Sequence, residues 1–374
     1  MNDNNEPASE QTTSLQSASE HLVELASSKQ LVLLGDQIGI SQHVSFIAQL
    51  LPELYEAGVR HLAWEFTNSR AQQQLDGLLS SDEWDDAGCT GLFVDLMGIG
   101  FTYQEYAEVV KAAWSLNQTL DSDAPAFRII GLGIPTYVED PGLLDGRSAS
   151  ELELRNWWMG GHYRDVAAFH MANTLTNEIL RLGERALVLV SSERSTTKFV
   201  QWEDGLPTVS VGNLLHRWVG DGVARAVFHG AIEDSTAVER VEALVAAAPE
   251  NPETFGIALN LATLGNVGLN EVVGSVNGVD TSLRLRDIAD SYIWITGVDG
   301  WEPCQLISDV ITSENLDDIE ARYQALDPRA TPWSPTELEQ IREEGQAKLV
   351  DSWVKLPVKE ETSPKRSRFG RRRS

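Results

Sequence analysis

Residues 30–66 limit what this chain can fold into more than any other stretch. They read QLVLLGDQIG, then ISQHVSFIAQLLPELYEAGVR, then HLAWEF. An apolar run at 31–34 halts at Gly35-Asp36-Gln37-Ile38-Gly39. Val44, Ile47, Leu50, Leu51 and Leu54 then recur at helical spacing, Gly58 closes that helix, and a second apolar run ends on Glu65. Two apolar strands joined by a helix of this length make a parallel crossover unit. Ligands of open α/β sheets bind outside the carboxyl ends of the strands. Asp36 and Glu65 both fall there.

The rest of the chain repeats the alternation. Apolar runs at 127–133, 185–192, 224–230 and 291–297 read as further buried strands. Helical patterning covers 69–80, 151–182 (interrupted at Gly160-Gly161) and 238–248. It also covers 102–117, where Thr102 and Glu105 form a capping box, and 334–356, where Ser334 and Glu337 do. Residues 80–91 read as an acidic loop. Buried strands alternating with helices specify an α/β fold with a mainly parallel sheet flanked by helices. The helical stretch at about 150–182 is expected as an insertion, a lid or subdomain near the carboxyl edge of that sheet. The expected layout is an unstructured N-terminus over 1–19, a single α/β domain over 20–356, and a disordered basic tail over 357–374.

Charge and apolar content narrow the function classes. The net charge is −27, and the last ten residues carry six basic ones, leaving −33 on the remainder. Such a body repels nucleic acid and anionic membranes, so only the tail is expected to contact an anionic partner. No run of about eighteen apolar residues is present, so no membrane span is expected. The polar, acidic first twenty residues do not read as a secretion signal. Cys89 and Cys304 are isolated and match no metal-ligand spacing. A cytoplasmic setting follows from these features. There is no phosphate-binding glycine loop and no Gly-x-Ser-x-Gly elbow.

Several segments together resemble one superfamily. Gly35-Asp36-Gln37-Ile38-Gly39 with Glu65 is similar to a strand ending in Gly-Glu-x-His-Gly, followed by a helix and a strand that ends in glutamate. Met171-Ala172, Gly183-Glu184-Arg185-Ala186-Leu187 and Thr197-Lys198-Phe199 match a second signature, in which Gly-x-His-His precedes the Thr-Lys-aromatic. Both belong to the superfamily of erythromycin esterases, ChaN-type haem-binding lipoproteins and Tiki proteases. The likeness runs over residues 30–297. Ile38 stands at the first signature histidine, and Glu193-Arg194 at the paired ones, with Ser191 for the glycine.

The resemblance implies hydrolysis of esters, lactones or peptides, or haem binding in the ChaN branch. The substitutions point elsewhere, because isoleucine neither ligates a metal nor carries a proton, and arginine stays protonated and pairs with carboxylates. The expected protein therefore has a degenerate metal or acid–base centre and keeps a pocket for a small-molecule ligand or partner. No metal and no cofactor is expected. If activity survives as a rearranged hydrolase, Asp36, Glu65 and His43 carry it. Glu193, Arg194 and His170 are the expected ligand-binding groups, His170 for its place beside Met171-Ala172. His162, His216 and His229 read as ordinary structural or surface histidines, and Trp157, Trp158 and Tyr163 as pocket lining or helix packing.

Overall fold

The computed structural model describes residues 16–97, 103–133, 163–198, 209–232, 234–248, 253–260, 262–276, 279–305 and 307. In chain order the elements begin with α1 (Ala18–Ser28), β1 (Leu31–Asp36), α2 (Ser41–Glu56), β2 (His61–Asn68), α3 (Gln72–Leu79), α4 (Asp86–Met97), α5 (Gln104–Gln118) and β3 (Arg128–Gly133). They continue with α6 (Tyr163–Glu178), β4 (Ala186–Ser191), α7 (Ser192–Ser195), α8 (Val211–Val219), β5 (Val223–Phe228) and α9 (Ser235–Ala246). The last are β6 (Phe255–Ala258), β7 (Gly268–Val276), β8 (Val279–Arg284), α10 (Leu285–Ile288) and β9 (Ser291–Trp294). Seven strands form one sheet in the order β3-β2-β4-β1-β5-β9-β6, and β7 and β8 form a separate hairpin. All pairs in the large sheet are parallel except β6–β9.

The expected α/β fold with a mainly parallel sheet is therefore present. Its central strand is β1, apolar and buried on both faces. Val32 and Leu34 pack under α2 and α5, with Ile47, Leu51, Leu54 and Val110. Leu31 and Leu33 pack on the opposite side against Met171, Ala172 and Leu175 of α6 and Leu215 of α8. The loops leaving β1 and β4, which are neighbours in the sheet, thus go to opposite faces. A crevice opens between such strands at their carboxyl ends, where ligands of this architecture bind. Asp36 and Ser191 face each other across it in register.

Several local expectations change. Helix α4 occupies the second half of the stretch read as an acidic loop; Leu92 and Phe93 pull it into the core despite Gly88. Helix α1 starts at Ala18 behind a Ser17–Glu20 capping box, inside the segment expected to be unstructured. Tyr103, with no side-chain cap, precedes α5, and Glu105 instead accepts hydrogen bonds from Ser41 Oγ at 2.9 Å and the Gln305 amide at 2.9 Å. The described part of the 150–182 stretch, α6, packs flat on the sheet as a layer helix rather than as a lid. Residues 150–162, with Trp157, Trp158 and His162, lie outside the described residues, as do the helix expected at 334–356 and the tail. No helix among the described residues is long and apolar enough to cross a membrane.

Candidate functional site

The carboxyl edge of the sheet carries two separate side-chain pairs. Side chains alternate between faces along a strand, and the register decides which face each takes. Asp36 shares its parity with Val32 and Leu34 and so points to the α2 face. Glu65 follows Trp64, which pairs with Leu189, and so stands level with Gly35 and Val190 and points to the α6 face. The two carboxylates therefore share an edge but start from opposite sides of it.

On the α2 face, Asp36 Oδ1 meets His43 Nδ1 at 2.8 Å, and both residues are 2% exposed. His43 lies in the first turn of α2, which brings its ring back over the end of β1. The imidazole stacks on Phe228 (centroids 4.2 Å apart, planes 8° from parallel) and meets Trp301 edge-on at 5.8 Å. Burial raises the Asp36 carboxyl above the usual range, and the hydrogen bond from His43 opposes that rise. Asp36 Oδ2 has no hydrogen-bond partner.

On the other face, Arg194 Nε lies 2.6 Å from Glu65 Oε1, with the two side chains 21% and 11% exposed. The Ser191 amide donates to the second oxygen, Oε2, at 2.8 Å. Both oxygens of Glu65 are thereby engaged. Arg194 and Glu193 sit on the single-turn helix α7, which Arg225 anchors from below: its buried guanidinium donates to Ser195 Oγ at 2.9 Å, to Ser192 O at 2.9 Å and to Ile288 O at 2.5 Å. Burial lowers the Arg225 pKa to about 10, still charged at neutral pH.

Of the expected catalytic set, Asp36 and His43 meet, while Glu65 pairs instead with Arg194 of the expected ligand-binding set. Ile38 packs on the core beside α2. Glu193 is half-buried next to Arg194. His170 bonds Ser69 Oγ at 3.0 Å, just beyond the end of β2, rather than entering either pair. His216 lies on α8.

His229 holds more of the edge than sequence reasoning gave it. It caps β5, its Nδ1 meets the Tyr292 hydroxyl at 2.7 Å and its Nε2 meets Glu242 Oε1 at 3.4 Å. Its position directly after the buried run of β5 was the available signal. Burial, and next the nearby His43, lower its pKa from 6.5 to about 3, so the ring is neutral near pH 7. Among the described residues, no three His, Cys, Asp or Glu side chains come together in metal-ligand geometry. A recess of about 460 Å³ opens beside Asp76, Asn117 and Arg128, but at the amino edge, away from both pairs.

With the geometry in hand, comparison with known proteins is informative at the level of architecture. No protein-family model matches the sequence, and no curated protein matches it. Solved structures do. A succinoglycan biosynthesis protein aligns at 11% identity over 76% of this chain and 91% of that one, with a TM-score of 0.52. An erythromycin esterase mutant in its open conformation aligns at 12% identity over 74% and 92%, with a TM-score of 0.50. This is an erythromycin-esterase-like fold. A Bacillus cereus protein aligns equally well, at 12% identity over 77% and 92% and a TM-score of 0.50. At these identities the likeness concerns the path of the chain and leaves the chemistry to its own residues.

Proposed function

We propose that this protein is a ligand-binding relative of the erythromycin esterases in which the β2–β4 half of the carboxyl-edge centre no longer performs acid–base chemistry. The observation that carries this reading is the engagement of Glu65, by Arg194 at 2.6 Å on one oxygen and by the Ser191 amide at 2.8 Å on the other. Both oxygens of that carboxylate already carry a donor, one of them a cation, so a water or a metal arriving there competes with a charged contact. Glu193-Arg194 in place of a histidine pair supplies charge and hydrogen bonding to a ligand, and no neutral base. The ligand proposed for this edge is a small polar molecule that Glu193 and Arg194 would contact.

A second reading rests on the Asp36–His43 contact. A carboxylate that orients an imidazole through Nδ1 is the arrangement of a general base, with the other ring nitrogen free to act. Hydrolysis would then run from the α2 face and not from Glu65.

Hydrolysis of aryl esters and lactones by the purified chain, with and without added zinc or manganese, separates the two. The ligand-binding reading expects no turnover above the buffer rate in the wild type. Turnover abolished by Glu65→Gln would overturn it outright. Turnover abolished by His43→Gln and retained in Glu65→Gln would establish the second reading instead.

A further inference from the structure

The Asp36–His43 pair is buried by a segment that belongs neither to the sheet nor to the helical layers. Residues 298–305 run across the end of β1 and are tied to its loop and to the start of α2. The Cys304 amide donates to Gly39 O at 2.8 Å, the Ser41 amide to Glu302 O at 2.9 Å, and the Gln104 amide to Gln305 O at 2.7 Å. Gln42 clasps the segment twice, donating to Gly300 O at 2.9 Å and accepting from the Glu302 amide at 3.0 Å. Glu105 holds its far end through the Gln305 amide. Trp301 points inward, edge-on to His43 at 5.8 Å and to His229 at 6.5 Å. It lies against Gly230, where a Cβ would run into the indole.

Two buried polar atoms are left without partners beneath this segment: Asp36 Oδ2 and the Trp301 indole Nε1. Burying a polar group unpaired is unfavourable, and water would satisfy both on opening. Apolar packing of Trp301 therefore works against two desolvated groups. The segment is held by these hydrogen bonds and by the burial of Trp301 and Cys304 in the core, and none of the bonds named belongs to the ladder of the parallel strands, so it can lift without unpairing them.

We propose that residues 298–305 are a hinged cover whose Trp301 seals the Asp36–His43 pair. Lifting the cover makes that pair the floor of a recess bordered by Phe228 and His229. The cover stands on its own geometry, whether the recess binds a ligand or hydrolyses one. Its opening is read by the reactivity of His43 towards diethyl pyrocarbonate, quantified by peptide mass spectrometry. His21 and His61, buried elsewhere in the molecule, serve as internal standards.

Gln42→Ala removes both clasps from a half-buried side chain. It is expected to raise His43 modification about tenfold, the effect of losing roughly two hydrogen bonds, with His21 and His61 unchanged. Glu105→Gln, which loosens the far end, is expected to act in the same direction and carries the test if Gln42→Ala does not fold. No acceleration at His43 in a folded variant overturns the proposal. So does equal acceleration at all three histidines, because the segment would then open only with the whole fold.

Discussion

His229→Gln is the sharpest probe of the buried edge, because its effect on stability must change with pH. The ring is 1% exposed, and burial depresses its pKa from 6.5 to about 3. A histidine depressed in the fold contributes stability above its unfolded value, and that stability is lost as pH falls towards the folded value. Between pH 6.5 and about 3 the unfolded chain takes up a proton that folded His229 refuses. Each pH unit of that window withdraws about 1.4 kcal/mol, so about 2.7 kcal/mol is gone by pH 4.5. His21, His61 and His170 are also lowered by burial and steepen the same limb. Asp36, raised by burial, works in the opposite direction. All four are common to both proteins and cancel in the difference. Glutamine keeps a neutral hydrogen-bonding group near Tyr292 and cannot titrate, so at pH 8 the variant is expected to be less stable by about 1–2 kcal/mol. At pH 4.5 the difference should shift by about 2.7 kcal/mol in the variant's favour. Urea unfolding followed by tryptophan fluorescence at both pH values measures it. An identical difference at pH 8 and pH 4.5 would refute the argument, since His229 would then titrate in the fold as it does in the unfolded chain.

Arg194→Met leaves Glu65 with only the Ser191 amide and is expected to lower stability by about 1–3 kcal/mol. Glu65→Gln should cost a similar amount, and the double variant less than the sum, as coupled partners do; strict additivity in chemical denaturation would show that the pair is not formed. Gly39 has a φ of 83°, so Gly39→Ala should destabilise by about 1–2 kcal/mol through left-handed strain alone, measurable as a lowered urea midpoint with an unchanged slope. Arg225→Met removes the buried cation that holds α7, and isothermal titration of any ligand found at the Glu65–Arg194 edge should show weaker binding; unchanged affinity in a folded variant would show that α7 keeps its place without it.

Much of the central architecture was legible in residues 30–66, because two apolar runs and an amphipathic helix leave few alternatives. The edge was legible as well: Asp36, Glu65 and Arg194 each terminate or follow an apolar run. What sequence could not supply was register. Glu65 stands level with Gly35 rather than Asp36, and a shift of one residue decides which face a side chain takes. Elements with little pattern were also lost. Strand β6 has four residues, and β7 and β8 make a hairpin outside the main sheet. Glu105 read as a helix-capping residue, yet it serves Ser41 and Gln305, from segments distant in sequence. The weight of Trp301 and His229 likewise depends on contacts between remote parts of the chain.

The opposite parity of Asp36 and Glu65 has an evolutionary corollary. The two pairs leave the sheet on opposite faces, and they are linked only through neighbouring backbone, where Asp36 is the register partner of Ser191, whose amide Glu65 engages. On the proposed reading, substitutions at Glu193 and Arg194 act first on the Glu65 side, and those at Asp36 and His43 on the other. If that reading holds, one half of the centre would change while the other is kept, and the two halves are expected to drift at different rates among related sequences.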